Sequence, residues 1–409
     1  MTTPDHPTAE ERPVWARPDA FPKAPNSWGW ATIKGTRHTC ASLAELIRAI
    51  GADREAEIAL AWTPDDEFMV LPEEIDEAAA AVSTARRLRA DDDLDLGRSR
   101  MRYFSLLLAA LIGWILWQNW KIAPAATPLP QHLLFAAKAL ISSTTAGIAL
   151  LMFIIFAFIP WYEATKQDRM LRRQADASFA DIIPALRFET WLEHQKAPVT
   201  RLFLVMIGIV GIAQILSQDS IHAAGLVKDR YHNGEYWRLL TAPFLHGGIV
   251  HFLMNAAGLI YLGRRIEVFA RWPHLATVFL LSAAAGGIAS ARFLSTTSVG
   301  ASGGLLGWLG FLLVFESLHS RLVPRRARKR LAAGVILTAI IGLIGFRFID
   351  NAAHIGGTIA GMIYAFVVFP KSSSAFRPRT TLPDRVSGTI ALAILSLAAL
   401  YAVAEILGS

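Results

Sequence analysis

Cysteine is almost absent from this sequence. Cys40 is the only one among 409 residues, which excludes an intrachain disulfide and gives no sign of an oxidising compartment. Charge is also scarce, because Asp, Glu, Lys and Arg make up 18% of the chain against 53% hydrophobic residues. Residues 1–100 contain no apolar run ahead of a small-residue cleavage site, so no cleaved signal peptide is expected. A chain this apolar is not an ordinary soluble protein, and the lipid bilayer is its expected solvent.

Apolar runs long enough to cross about 30 Å of hydrocarbon recur along the chain. We predict nine spans, at 103–120, 139–160, 201–217, 244–263, 275–294, 301–318, 331–346, 350–369 and 387–407. The predicted fold class is therefore an all-α polytopic membrane protein.

The basic residues lie in short loops between the predicted spans. The net charge of +7 would suit nucleic acid, but this distribution is typical of membrane orientation, because loops rich in Lys and Arg stay in the cytoplasm. Six basic residues predict a cytoplasmic location for 319–330. With nine spans, the segment 1–100 is also predicted to be cytoplasmic. The loops 122–132 and 295–300 contain no Lys or Arg and are predicted to lie on the opposite side of the membrane. The loop 218–243, with its own basic residues, is the exception.

Residues 1–100 are predicted to form a small α+β domain in the cytosol. The run at 58–62 is strand-like, and Ser42 with Glu45 forms a capping box that predicts the start of a helix. The acidic run at 91–95 is interpreted as a solvated linker to the first span.

Polar side chains inside hydrocarbon are costly, so those within a predicted span are candidates for function. In the span at 244–263, His251 and Asn255 are four residues apart and share one face of a helix. A role in hydrogen bonding between helices would also account for such a pair.

Ser302 lies at the outer start of a span, among the small residues Gly300, Ala301, Gly303 and Gly304. Small neighbours let another helix and an extended peptide approach the hydroxyl, and free N–H groups at a helix N-terminus point toward a developing anion. Taken alone, such a cluster is also an ordinary device for helix packing.

His354 lies one turn into the span at 350–369. Gly357 and Gly361 follow it with the spacing that lets a helix pack tightly against a neighbour. If that neighbour is the Ser302 helix, the imidazole can reach the hydroxyl and act as its base. Asp350 is interpreted as a cap or surface group, so a dyad is predicted and not a triad.

These elements, in this order, resemble the rhomboid family of intramembrane serine proteases over roughly 200–370. The resemblance implies that Ser302 is the nucleophile and His354 the general base. It also implies an oxyanion site made of His251, Asn255 and the Ser302 backbone N–H. The resemblance implies that Trp237 and Arg238 brace the long loop. It also implies that Glu267 holds a cytoplasmic helix end in place. The structural positions of the motif are Trp237, Arg238, His246, Glu267, Gly300, Gly303, Gly357 and Gly361.

The resemblance also divides the chain. It implies a six-helix protease core at 200–370, preceded by the cytosolic domain at 1–100 and by two extra spans with a basic segment at 101–199. A cytoplasmic loop and one extra span follow at 371–409. The family implies no metal and no cofactor. The expected partners are single-span or other transmembrane protein substrates and the lipid bilayer, with no nucleic acid, and the expected location is a bacterial inner membrane with a cytoplasmic N-terminus.

One position departs from the family pattern. Bacterial relatives often carry a tyrosine four residues after the serine, stacked under the base, whereas this chain has Leu306. We expect an altered rate or pH dependence from this change and not a loss of function.

Two other functions stay open at this stage. A non-catalytic rhomboid-like protein that binds or dislocates membrane proteins would be expected to lack the serine or the histidine, and both are present. A transporter is less favoured, because no inverted repeat of broken helices is visible.

Overall fold

The computed structural model describes residues 12–122, 128–173 and 179–409. The predicted outer loop at 122–132 lies partly outside these residues, and so does the start of the chain on which the signal-peptide prediction rests. The chain divides into two compact units. We call Phe21–Ile183 with Thr338–Ile349 the N-terminal unit. The C-terminal unit comprises Pro184–Leu337 and Asp350–Ser409 with the described residues up to Ala20.

The N-terminal unit begins with a three-stranded antiparallel sheet in the order β2-β1-β3, formed by β1 Trp28–Thr32, β2 Arg37–Cys40 and β3 Ile58–Trp62. Helix α1, Leu43–Ala52, buries Leu46 and Ile50 in the same apolar core as Ala61 of β3. Ser42 caps this helix, because its hydroxyl accepts a hydrogen bond from the Glu45 N–H at 3.3 Å. The predicted α+β segment is therefore confirmed.

Helix α2 runs unbroken over Ala79–Ile122. The acidic run at 91–95 lies on this helix with its four aspartates exposed, so the solvated connection to the first span is helical. The helix continues because it has a packing partner in α5, where a Cβ on Gly97 would lie 3.0 Å from the Trp161 Cα. The remaining helices of this unit are α3 Leu129–Ser142, α4 Thr144–Phe153, a π-helical turn at Ile154–Phe158, and α5 Ile159–Arg173.

The long elements of the C-terminal unit are all helices in its described residues. Its long helices are α6 Ile183–Glu193, α7 Pro198–Leu216, α11 Ile249–Phe269, α12 Trp272–Phe293, α13 Ser302–Leu318, α14 Arg325–Ile344, α15 Asn351–Val368 and α16 Leu382–Leu407. Between α7 and α11 lie three short helices, α8 Ser220–Ala224, α9 Lys228–His232 and α10 Arg238–Thr241. Helix α14 is shared between the two units. The described residues before Ala20 also belong here, where the Trp15 indole N–H donates to the Leu322 carbonyl at 2.8 Å.

Each predicted span coincides with helix over most of its length. Among the described residues, six helices are long and apolar enough to cross a membrane, and a seventh is added if Arg238–Phe244 and Ile249–Phe269, bent by 94°, count as one span. Helix α13 is apolar but shorter, with 17 residues. The chain is a multi-pass membrane protein, and the count of nine spans stays a prediction.

One predicted span begins later than expected. The apolar run starts at residue 244, but α11 begins at Ile249, because Gly247 and Gly248 interrupt the helix and Gly248 has φ +152°. His246 therefore lies in the bend before α11 and not within the helix.

Helices α13 and α15 pack at backbone distance. A methyl group on Gly357 would collide with the Gly303 carbonyl oxygen, and one on Gly361 would collide with the Gly307 carbonyl oxygen. Glycine on both helices therefore permits this contact, as in other small-residue interfaces of membrane helices. The predicted partner of the His354 helix is indeed the Ser302 helix.

A buried ion pair ties α11 to α13 at their other ends. The Arg265 guanidinium donates through two nitrogens to the Glu316 carboxylate, with Nη2 to Oε2 at 2.9 Å. Both side chains are almost fully buried. Bidentate geometry satisfies several polar atoms at once, so the pair is tolerated inside the helix bundle.

Candidate active site

Ser302 and His354 meet at the ends of two neighbouring helices. Ser302 is the first residue of α13, His354 lies in the first turn of α15, and the distance from His354 Nε2 to Ser302 Oγ is 2.8 Å. This is a hydrogen-bonding distance. A hydroxyl held this close to an imidazole can pass its proton to the ring, which is the geometry that serine nucleophiles need.

The start of α15 is fixed by Asp350. One carboxylate oxygen accepts from the Ala353 N–H at 2.8 Å, and the Asp350 carbonyl accepts from the His354 N–H at 3.1 Å. Asp350 is therefore the N-cap of the helix that carries His354, as the sequence suggested. Its other oxygen accepts from the hydroxyls of Ser290 and Ser298. None of these contacts involves the His354 ring, which fits a dyad better than a triad.

His251 and Asn255 converge on the backbone just before Ser302. Gly300 has φ +121°, and a Cβ there would lie 2.6 Å from His251 Cε1 and 3.8 Å from Asn255 Nδ2. Only glycine allows both the conformation and the close approach of the imidazole. The two side chains project from one face of α11, where the Asn255 amide donates to the His251 carbonyl at 3.0 Å. Ring and amide therefore lie beside the backbone that leads into Ser302.

His246 packs against this face from the bend before α11. It is 6% exposed, and its ring meets the His251 ring edge to face at 5.3 Å. The backbone at His246 is fixed by Gln214, whose carbonyl oxygen accepts from the His246 N–H at 2.8 Å and whose amide donates back at 3.1 Å. His246 thus packs against His251 and has its backbone held by α7.

The long loop between α7 and α11 is built around Arg238. This side chain is fully buried, and its Nη1 donates to the carbonyls of His222, Ala223 and Gly225 at 3.1, 3.0 and 2.8 Å. Its guanidinium also lies over the Trp237 ring at 4.4 Å. One side chain thus satisfies the carbonyl end of α8, which is the bracing geometry expected of the pair.

Glu267 ties the far end of α11 to the start of α7. Its carboxylate accepts from the Val199 and Thr200 N–H groups at 3.0 and 2.8 Å, and from the Thr200 hydroxyl at 2.7 Å. Carboxylates stabilise helix N-termini in this way. Glu267 therefore holds a helix end, and the cytoplasmic location of that end stays a prediction.

A small cavity of about 40 Å³ lies beside Ser302. Its wall is made of small and apolar residues, among them Ala242, Gly287, Val299 and Gly303. Ser290, Ser298 and Asp350 also line it. The cavity can take a small apolar side chain next to the Ser302 hydroxyl.

The sequence did not reveal the polar network at this cavity. The Lys228 ammonium is 3% exposed and donates to the hydroxyls of Ser290 and Ser298 at 2.6 and 2.9 Å. These are the hydroxyls that bind Asp350. A lysine directly after the apolar pair Leu226-Val227 was the available signal, but its partners lie far away along the chain.

The described residues include no group of three or more His, Cys, Asp or Glu that could hold a metal ion.

The region that contains Ser302 and His354 is similar to a known protein family. Residues 233–371 match the family model of the Rhomboid domain. RHOMBOID-like protein 4 of Arabidopsis thaliana is 31% identical over 191 residues, which cover 46% of this chain and 45% of that protein. RHOMBOID-like protein 6, mitochondrial, of the same plant is 37% identical over 144 residues, covering 35% of this chain and 47% of that protein.

A third relative has a different label. Inactive rhomboid protein 2 of Homo sapiens is 34% identical over 171 residues, which cover 41% of this chain and 19% of that protein. The alignments span less than half the length of each of these three relatives. Likeness to the family by itself therefore does not decide between a catalytic and a non-catalytic protein.

Proposed function

The chain belongs to the rhomboid family through its Rhomboid domain at residues 233–371, and from that premise we propose that it is an intramembrane serine endopeptidase. The observation that carries the proposal is the 2.8 Å distance from His354 Nε2 to Ser302 Oγ. The substrates would be single-span or other transmembrane proteins, cleaved in or near a spanning helix.

In the proposed reaction, His354 Nε2 takes the proton of Ser302 as the hydroxyl oxygen attacks a substrate carbonyl carbon. His354 then gives that proton to the leaving amine, and an acyl-enzyme remains on Ser302. Water hydrolyses the ester, with His354 acting again as base. Asp350 is engaged by the Ala353 N–H and two serine hydroxyls, so the base works without a carboxylate on its ring.

The oxyanion of each tetrahedral intermediate would be stabilised by three donors. The backbone N–H of Ser302 is free at the N-terminus of α13, and the His251 ring and Asn255 amide lie beside the adjoining Gly300. Fixed donors of this kind stabilise charge that appears only in the transition state, so they raise turnover more than substrate affinity.

A non-catalytic role in binding or dislocating membrane proteins is the second candidate. One relative is named an inactive rhomboid protein, which is the observation that favours it. Against it, this chain keeps both the hydroxyl and the imidazole and holds them in hydrogen-bonding contact.

The side of the membrane on which the site opens is also a proposal. It rests on the distribution of basic residues, which favours a cytoplasmic N-terminus and a site that opens on the opposite face. A bacterial inner membrane was expected, but the three relatives described above come from a plant and from human and lend that location no support.

The proposal is tested by incubating the purified chain in detergent with a single-span substrate and mapping the products by mass spectrometry. We expect two fragments that meet at one bond in or near the spanning helix. Ser302→Ala should give no fragments, although its melting temperature should equal that of the wild type. An uncleaved substrate that nevertheless co-purifies with the wild-type chain would instead support the non-catalytic role.

A further inference from the structure

Lys228 is a buried cation in the loop that precedes the candidate active site. It lies on α9, outside the spanning helices, and its ammonium reaches Ser290 on α12 and Ser298 in the segment before α13. The backbone holds it in place, because Leu226 and Ser298 exchange hydrogen bonds at 3.0 and 3.2 Å as an isolated antiparallel pair. Burying an ammonium is costly unless it is paired, so this arrangement calls for a partner.

The partner is Asp350, which is reached through two hydroxyls. Ser290 and Ser298 accept from Lys228 and donate to the same Asp350 oxygen. The other Asp350 oxygen caps α15 through the Ala353 N–H. A continuous chain of hydrogen bonds therefore runs from the long loop to the first turn of the helix that carries His354.

We propose that Lys228 is a positioning residue for the dyad: through Ser290 and Ser298 it holds Asp350, and so fixes the first turn of α15 with His354 against Ser302. The inference rests on the proposed protease function. Neither Lys228 nor Asp350 has a hydrogen bond to the His354 ring, so the proposed effect of Lys228 runs through the placement of the helix. Lys228 also lies outside the 233–371 match to the family model.

The charge on Lys228 is the part of this network that a pH change can remove. Burial lowers its pKa to about 8, although the nearby Asp350 carboxylate favours the charged form. The neighbours on α12 and in the segment before α13 are the neutral hydroxyls of Ser290 and Ser298. On α9 itself, Asp229, Arg230 and His232 are exposed. As the pH rises through about 8, the ammonium becomes an amine and Asp350 loses its counter-charge.

The test measures turnover of a single-span substrate by the full-length chain from about pH 6.5 to about pH 9.5. Lys228→Met should reduce turnover near neutral pH by roughly 10-fold to 100-fold, because a small misplacement of a catalytic group costs that much. The ratio of variant to wild-type turnover should then rise toward one above pH 8, where the wild-type lysine is itself neutral. Arg230→Met, on the exposed side of α9, is the matched control and should follow the wild type at every pH.

Two further variants keep the test decisive. Lys228→Arg retains its charge at alkaline pH, so its turnover should stay higher than that of the wild type there. The double variant Lys228→Met with Asp350→Asn removes both charges and keeps an N-cap residue, so it should regain part of the turnover lost in Lys228→Met. If Lys228→Met does not fold, the alkaline behaviour of Lys228→Arg decides.

A ratio that stays constant over the whole pH range would overturn the inference, because a purely structural lysine would lower activity equally at every pH. So would unchanged turnover of Lys228→Met, or a Lys228→Arg activity that falls with the wild type. Failure of the wild-type chain to cleave at any pH would count against the proposed protease function, which separates the two outcomes.

Discussion

The proposed oxyanion site depends on two side chains, His251 and Asn255. Both converge on Gly300, two residues before Ser302, and removing one donor from an oxyanion site typically costs on the order of 10²- to 10³-fold in kcat. Three donors share the task here. We therefore expect each single alanine variant to keep partial activity and the double variant to be far weaker.

Steady-state kinetics with melting temperatures in detergent check this prediction. Catalytic donors should affect kcat more than KM. A double variant that melts many degrees lower yet keeps its turnover at low temperature would show that the pair only joins helices.

At this scale the sequence predicted the reactive pair but not the network behind it. Ser302 and His354 were visible because glycines and an apolar span surround them. The link between Lys228 and Asp350 was not visible, because it runs through two serines brought together only by the tertiary fold. Leu306 was recognised as a departure from the family, and it is half-buried one turn after Ser302. Its effect on His354 stays a prediction.

The packing of α13 against α15 is the element on which the dyad depends. Gly361→Ala would press a methyl group against the Gly307 carbonyl, and overpacking of this kind costs about 1–3 kcal/mol. We expect a lower melting temperature and reduced turnover, because the displaced α15 carries His354 away from Ser302. Gly208→Ala on α7 is the control, because a Cβ there meets nothing within 4 Å.

Thermal unfolding in one detergent compares the two variants with the wild type. Equal melting temperatures and equal turnover for Gly361→Ala would contradict the account of backbone contact between these helices.

Helices were easier to predict than the places where they begin. Hydropathy located every long helix of the C-terminal unit except α6, because the bilayer requires continuous apolar runs. It placed the start of α11 five residues early, since the run 244–248 is apolar although its glycines end the helix. The acidic run on α2 was missed as helix because local composition does not show the packing of α5.

Orientation in the membrane is a property of the whole molecule. The basic-loop distribution predicts that 295–300 and the mouth of the active site face away from the cytoplasm. In a Cys40→Ser background, Thr296→Cys should react with an impermeant thiol reagent added outside intact cells, and Arg326→Cys should react only after permeabilisation. Both positions are exposed, so access to the reagent depends on the side of the membrane. The reverse pattern would place Ser302 on the cytoplasmic side.

The division of the chain into two units is only partly visible in the sequence. The polar segment before α2 was recognised from its composition, and the sheet confirms it. The described residues before Ala20 nevertheless belong with the C-terminal unit, because Trp15 packs edge to face on Phe188 of α6 and donates to Leu322. Such a return of the chain depends on tertiary contacts, which composition does not encode.

The central claim is that Ser302 is a nucleophile activated by His354. Its most direct measurement is the intact mass of the purified chain after reaction with a fluorophosphonate, followed by peptide mapping of the adduct. We predict one adduct on Ser302 in the wild type, a much slower reaction in His354→Ala, and none in Ser302→Ala. A folded wild-type chain that stays unmodified, or an adduct that persists in Ser302→Ala, would contradict the account.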